Sequence, residues 1–541
     1  MLEADLLLRH ARILTLDGAV AGDDRGEVSA LTVLGDRVVA HEEVPARRVL
    51  DLDGAVVVPG FNDAHQHMAG FGLSLTEVDC RVSSLDELYE AVSAAAAQRP
   101  SDAWVIGSGY DDNKTGAHPT REGLDRAAGG RRTWITHTSG HMCVVSSAVL
   151  DDLGLSEHPV DVPGGLVVVD PTGRPTGLLQ ETAQSLLNPL VLPVPVDDLV
   201  TAVERAGRHY LREGITSVTE AGIGGGWIGK SPVELAAYQR AYADGRLPVR
   251  VELMIASDVL HRTGEDELRT GLDLGLRTGF GDDWLRIGSV KVFSDGSLIG
   301  HTAAMTADFA DTPGQRGYLQ AGADELRGTI IDAHRGGWRV ATHAIGDAAI
   351  DLVLDAYAEA QATIPWTGPG PVPRHRIEHF GVARPDQVAR CAELGVIPVP
   401  QGRFVNEIGD GMRRALGPER TGWAYRQRSL LAAGLVLPGS SDRPVVQGPP
   451  LLGIHDLVNQ RTASGAPFNP DEALTGLEAL RAYTVGSAYA SGLEDRKGTL
   501  GLGKLADLTV LADSPADCEP SRIAEIEVLA TMVGGEFGWQ R

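Results

Sequence analysis

The sequence predicts an α/β fold: a (β/α)8, TIM-like barrel, a discontinuous β-sandwich built from both chain ends, and an inserted α+β subdomain after the first barrel strand. Three observations predict it. Apolar strands alternate with amphipathic helices through the middle of the chain, the pattern of a parallel sheet with crossover helices. Both ends carry short period-two strands separated by turns. Ionisable residues able to ligate a metal fall at the C-terminal ends of the central strands, where barrel active sites form.

Taken in order, Ala4 to Leu16, Ala30 to Leu34, Arg37 to His41 and Arg48 to Leu52 read as strands, with Gly35-Asp36 a hairpin turn. The same texture returns at Gly503 to Leu511 and at Glu527 to Val533 before Gly534-Gly535. Neither end closes a stable sheet alone, so residues 1–58 and 494–541 are expected to pair, flanking a barrel at 59–493. Eight barrel strands are predicted: Val56 to Phe61, Gly214 to Glu220, Val249 to Ile255, Leu285 to Phe293, Trp338 to His343, His375 to His379, Gly395 to Val399 and Leu435 to Pro438. Helices are predicted between them at Val196 to Arg212, Pro232 to Ala243, Glu265 to Thr278, Asp324 to His334, Ala348 to Gln361, Pro385 to Glu393 and Trp423 to Ala433. The stretch from about 72 to 195 is too long for one crossover. It carries a helix at Leu85 to Ala97, strands at Trp104 to Gly109 and Thr133 to His137, and a hairpin turning on Pro171-Thr172-Gly173.

Composition narrows the function. A chain of 541 residues with 43% hydrophobic and 22% charged content is globular, and no apolar run is long enough to span a bilayer. A formal net charge of −25 argues against nucleic acid or an anionic membrane as partner. Cys80, Cys143, Cys391 and Cys518 form no Cys-X-X-Cys pair and read as buried thiols. The acidic start, Met1-Leu2-Glu3-Ala4-Asp5, lacks the basic region of a signal peptide and predicts cytoplasmic residence.

The chemistry lies at the strand ends. In a strand, residues i and i+2 share a face, so His65 and His67 present two imidazoles side by side. Lys291 lies near the end of the fourth strand, His343 ends the fifth, His379 ends the sixth and Asp442 follows the eighth. Only five residues are lysine, which singles out Lys291 between two valines. Four imidazoles and a carboxylate converging on one mouth suit a zinc-type or manganese-type ion with a position left for water. Glu181 and Glu220 stand where they could orient the rings. Asp111-Asp112 reads as solvated, and Gly222 to Gly226, lacking the lysine of a phosphate loop, as a barrel loop. Gly-X-Ser-X-Gly does not occur.

The order His-X-His, Lys, His, His, Asp resembles the amidohydrolase superfamily. The wording is closest to its YtcJ-like group, which includes N-substituted formamide deformylases. The phrases that carry the resemblance are Val58-Pro59-Gly60-Phe61-Asn62-Asp63-Ala64-His65-Gln66-His67, Lys291-Val292-Phe293-Ser294-Asp295-Gly296-Ser297, His343-Ala344-Ile345-Gly346-Asp347 and Arg376-Ile377-Glu378-His379. Ser139-Gly140-His141 and Gly503-Lys504-Leu505-Ala506-Asp507-Leu508 agree as well. Arg443 departs from the group's usual small residue, and is expected to narrow or recharge the pocket.

The resemblance implies a hydrolase of carbon–nitrogen bonds other than peptide bonds, cleaving an amide, N-acyl or N-formyl amine by metal-activated water. It implies one or two divalent ions per chain, zinc first with manganese or iron as alternatives, held by His65, His67, Lys291, His343, His379 and Asp442; Lys291 is carboxylated in at least some members of the family, and an unmodified Lys291 would leave a one-metal site. Asp442 would move the proton and His141, from the insertion, would bond the substrate carbonyl or oxyanion. Partners reduce to a small-molecule amide, with a homodimer as the family's habit. Phe71, Trp227 and Phe404 suggest an apolar leaving group. The rival readings are a cyclic amide or imide hydrolase, a deaminase, which Lys291 counts against, and a non-catalytic ligand-binding barrel.

Overall fold

The computed structural model describes residues 3–20, 24–225, 228–264 and 270–541. Both chain ends share one eight-stranded sheet. Glu536–Gln540, Val528–Val533 and Leu508–Leu511 continue through Val56–Pro59 into Ala4–Leu14, Glu27–Leu34 and Arg37–Ala40, and Ala46–Asp51 pairs with Ala4–Leu14. Its apolar core includes Leu6, Leu8, Ile13, Leu31, Val33 and Val57.

The centre is a nearly closed parallel barrel of seven strands in sequential order: β1 (Phe61–Gln66), β2 (Ile215–Ile223), β3 (Arg250–Ala256), β4 (Leu285–Phe293), β5 (Val340–Ala344), β6 (Arg376–His379) and β7 (Ile397–Val399). Every residue of β2 and β3 is buried, as strands covered on both faces must be. The helix Val196–Arg212 shows why the segments between them coil. It buries Leu199, Val200, Val203, Ala206, Tyr210 and Leu211 on one stripe, with Asp197 and Asp198 in its first turn and Arg212 in its last.

Three expectations are corrected. Val56 to Phe61 is two strands, because the chain changes sheets at Pro59-Gly60. Gly60 N–H donates to Asp507 O at 2.9 Å, while Phe61 N–H donates to Gly214 O at 3.0 Å. A proline that brings no N–H to a ladder marks the crossing, and a Cβ on Gly60 would stand 2.2 Å from the Thr216 side chain. Leu435 to Pro438 forms no strand. The barrel is closed just beyond it, where Ala64 N–H donates to Gly439 O at 3.0 Å and Asp442 N–H to His65 O at 2.7 Å. No helix covers the described part of Glu265 to Thr278, which holds a short strand at Thr270–Gly271 and a 3-10 turn at Asp273–Gly275; residues 265–269 lie outside the described residues.

Residues between β1 and β2 build a six-stranded sheet: Gly165–Val169, Pro175–Glu181, Met142–Val145, Thr133–His137, Val105–Tyr110 and Val78–Asp79. The helix Leu85–Ala97 lies where expected, started by Ser84, whose side chain accepts from Glu87 N–H. Cys80, Cys143 and Cys391 are buried thiols, and Cys518 is half-buried. Among the described residues no single helix is long and apolar enough to cross a membrane.

Two glycine substitutions test this packing with opposite signs. Gly60→Ala is expected to cost about 1–3 kcal/mol by overpacking at the sheet crossing. Gly328→Ala, on the exposed face of the helix Ala323–Arg335 with no atom near the added methyl, is expected to gain up to about 1 kcal/mol. Thermal melting checks both; a neutral Gly60→Ala would remove the crossing constraint.

Candidate metal centre

The site grows from the seam between β1 and the segment after Pro438. That seam sets Asp442 against both first-strand histidines: His65 Nε2 and His67 Nε2 each lie 3.2 Å from the same oxygen, Asp442 Oδ1. Ligand atoms of His65, His379 and Asp442 lie within 4.8 Å of one another. His343 stands against His379 with ring centroids 4.5 Å apart, and His141 stands 5.7 Å from His343. All six residues predicted as ligands line one cavity of about 650 Å³. They are not gathered equally. His65, His67 and His379 surround Asp442, His343 adjoins them through His379, and Lys291 Nζ lies 4.7 Å from the centre of the Phe293 ring.

Three of the four rings are oriented by an oxygen bonded to one nitrogen. His65 Nδ1 bonds the Glu378 carboxylate, His379 Nδ1 donates to Gln401 Oε1 at 2.8 Å, and His343 Nε2 donates to Gly296 O at 3.1 Å. Glu220 Oε1 lies 3.7 Å from His67 Nδ1 while its other oxygen accepts from Ala69 N–H and the Tyr238 hydroxyl. Pinning one nitrogen as the donor leaves a lone pair on the other. Lone pairs and a carboxylate oxygen at hydrogen-bond distance repel unless a proton or cation lies between them. The donor set, neutral imidazole nitrogen plus carboxylate, suits a borderline divalent cation. Glu378, Gln401 and Asp63 are absent from the sequence-based site. Glu378 was legible in principle, as it shares a strand face with Arg376 and precedes His379; nothing in the sequence marks Gln401.

Electrostatics agree with that packing. Burial raises Asp442, but His65, then His67 and His379, outweigh it and hold the carboxyl well below the aspartate range. Burial lowers His67, yet Asp442 and Glu220 raise it to about 9. Burial, with His65 and Lys291 nearby, carries His379 down to about 3, and His343 also falls well below the usual imidazole value. Lys291 is lowered to about 8 by burial, which Glu378 and Asp442 only partly oppose. It has no bond to Asp295, whose oxygens take the N–H groups of Ala304, Ile345 and Gly346. His141 is buried; its Nδ1 lies 2.8 Å from Glu181 Oε2, which overcomes burial and raises it.

Three further expectations change. Arg443 does not recharge the cavity. Its guanidinium turns away to pair Glu213 at 2.7 and 2.9 Å and sits 4.4 Å over the Phe71 ring. Phe71 and Phe404 are buried, against Tyr210 and His379 respectively, and Trp227 lies outside the described residues. The apolar wall of the cavity is instead built by Trp104, Ile106, Trp134, Leu187 and Val191 of the insertion. Asp111 is buried rather than solvated, and Asp112 pairs with His137.

The raised His67 value has a measurable consequence. Near pH 7 the metal-free site carries a proton there, so an entering cation must displace it. Zinc or manganese affinity is therefore expected to climb as pH rises towards about 9, with about one proton released per ion near neutrality. Titration calorimetry in two buffers of different ionisation heat measures this; uptake without proton release would remove His67 from the ligand set.

The family model described as "Amidohydrolase family" matches residues 48–537. The chain is 30% identical over 515 residues to the putative amidohydrolase YtcJ of Bacillus subtilis, covering 92% of this chain and 91% of that one. It is 30% identical over 564 residues to the N-substituted formamide deformylase of Arthrobacter pascens, covering 99% and 98%. A solved metal-dependent hydrolase of Pyrococcus horikoshii superposes with a TM-score of 0.73 at 27% identity, over 95% of this chain and 99% of that one. A seven-strand parallel barrel, a cluster of imidazoles about a carboxylate, and matches of this extent agree: the chain belongs to the amidohydrolase family.

Proposed function

We propose that the protein hydrolyses the carbon–nitrogen bond of an acyclic amide, an N-acyl or N-formyl amine. The observation that carries this reading is Asp442, an ionised carboxylate facing the cavity between the Nε2 atoms of His65 and His67. Similarity to a formamide deformylase along nearly the whole of both chains supports the substrate class.

His65, His67, His343, His379 and Asp442 are the residues that would hold a divalent cation, zinc in this proposal, joined by Lys291. A lysine lowered to about 8 keeps a useful fraction of neutral amine, and a neutral amine can add CO2 to give a carbamate with oxygen donors. When bound, such a cation lowers the pKa of water and polarises a carbonyl.

The chain's own groups then divide the remaining work. Asp442 takes the proton from the attacking water and returns it to the departing amine nitrogen. His141, whose pKa Glu181 raises, donates to the carbonyl oxygen as negative charge develops. Trp104, Ile106 and Trp134 face the substituents and exclude water from that side. In the same proposal residues 1–58 with 494–541 are a flanking sandwich, and 72–195 an insertion in the barrel domain 59–493. The shared terminal sheet and the separate insertion sheet support that division.

Amine release by zinc- or manganese-loaded protein across N-formyl, N-acetyl, cyclic imide and aminopurine substrates tests the reading. Release from one acyclic class is expected; ammonia from the aminopurines would move the protein to the deaminases. Asp442→Asn is expected to lose about two to four orders of magnitude in turnover, and activity within tenfold of the parent would sink its proton role. Lys291→Ala is expected to lower metal content per chain, measured by elemental analysis; unchanged content would remove Lys291 from the ligands.

A further inference from the structure

Residue 443 is an arginine where the family resemblance expects a small side chain. It is only 4% exposed. Its Nη1 and Nη2 donate to Glu213 Oε2 and Oε1 at 2.7 and 2.9 Å. The guanidinium carbon lies 4.4 Å from the centre of the Phe71 ring and 5.4 Å from that of Tyr210. Gly448 closes another side, since a Cβ there would collide with Arg443 Nε. Both partners are themselves fixed. Glu213 ends the helix Val196–Arg212, and beside it Gly214 O accepts Phe61 N–H at 3.0 Å where β1 begins. Phe71 belongs to the helix Met68–Ser74, which His67 starts.

These contacts close a circuit around His67. Arg443 O accepts His67 N–H at 2.8 Å, and Phe71 N–H donates to His67 O at 2.8 Å. The guanidinium lying on the Phe71 ring then joins residues 443, 67 and 71 in one loop of contacts. Asp442 is the next residue along the chain from Arg443, and its Oδ1 stands 3.2 Å from His67 Nε2. One arginine therefore holds both members of that contact from behind, His67 through its own peptide groups and Asp442 through the peptide that joins it to residue 443.

Two simpler accounts are weaker. A buried ion pair adds little net stability, because desolvation of both charges offsets most of their attraction. The arginine charge is also not what keeps Asp442 ionised: it is answered by Glu213, while His65, His67 and His379 hold the Asp442 carboxyl low. What the pair supplies is geometry. Ligands held in place before an ion arrives lose less freedom when it binds.

We propose that Arg443 and Glu213 are positioning residues, which hold His67 and Asp442 in place before a divalent cation enters and so raise the affinity of the site for it. The inference rests on the ligand set proposed above and is independent of the substrate.

Zinc affinity of the chelator-stripped full chain, measured by competition with a chromophoric chelator, tests it beside the melting temperature of the metal-free chain. Arg443→Met and Glu213→Gln are each expected to melt lower than the parent, since each leaves one buried charge unpaired. The double variant leaves none, so it is expected to melt near the parent yet bind zinc roughly tenfold to a hundredfold more weakly. Its cobalt(II) form is expected to differ from the parent's in visible absorption, which reports the geometry of the ligands. Phe71→Leu, which keeps the ion pair and cuts the circuit at the ring, is expected to weaken zinc roughly threefold. A purely stabilising pair would move melting and leave zinc affinity and the cobalt spectrum as they are. Zinc bound as tightly by the double variant as by the parent overturns the proposal. Should the double variant fail to fold, parent-like zinc affinity in Phe71→Leu overturns it instead. A parent chain that takes up no zinc overturns the ligand set itself, and this inference with it.

Discussion

The barrel mouth depends on the way residues 439–443 are laced to β1. Three backbone bonds make the seam: Ala64 N–H to Gly439 O at 3.0 Å, Asp442 N–H to His65 O at 2.7 Å and His67 N–H to Arg443 O at 2.8 Å. They close a barrel that has no eighth strand, and they fix the Asp442 carboxylate opposite both Nε2 atoms. Asp63 bridges the same seam, accepting the N–H groups of His65 and Ser441 through one oxygen. Arg443 anchors it from outside through Glu213 and the Phe71 face. The seam thus sets a site geometry that side-chain packing alone would leave free.

Beneath the seam lies a buried charge pair whose logic is positional. Arg376 and Glu378 are fully buried and bonded at 2.8 Å, and Arg376 Nη2 also donates to Ala64 O at 2.7 Å. A buried pair of this kind adds little net stability, because desolvation offsets most of the attraction. What it does is hold Glu378 as an anion under His65, so that one imidazole nitrogen is committed and the other faces the cavity. Lys291 is the counterexample within the same barrel. It has the same burial but a ring face where Arg376 has a carboxylate, and its amine is lowered accordingly.

Much of this was legible from residue order. Helices such as Val196–Arg212 and Pro385–Glu393 match their predicted limits, since an apolar stripe at helical spacing has one way to bury itself. The strand-end histidines, Lys291 and Asp442 come to one cavity because β-strand direction in a parallel barrel is uniform. The misses share a cause. Val56 to Phe61 reads as one run because hydrophobicity is blind to which sheet a strand joins, and only Pro59-Gly60 hinted at the crossing. Arg443, Gln401 and the insertion's apolar wall act across long sequence separations, where one chain without a structure carries no pairing information. Asp111 read as solvated from its charge alone, although Asn113 N–H and Nδ2 bond to it in the fold.

Glu181, His379 and Asp442 have φ of 50°, 69° and 60°, a left-handed region that side-chain-bearing residues rarely occupy. Each sits where a strand or its pairing ends, and each carries a carboxylate or imidazole that the cavity uses or that orients one the cavity uses. Such conformations cost on the order of 1–3 kcal/mol each and persist only when the surroundings over-determine them. Here the surroundings are the seam for Asp442, Gln401 for His379 and the His141 and Gln320 bonds for Glu181. The period-two rule therefore assigns faces along the ladder and fails one residue past it. At that position the chain turns a side chain against its natural alternation, and His379 reaches the same cavity as His65 although its strand neighbour Glu378 already faces inward.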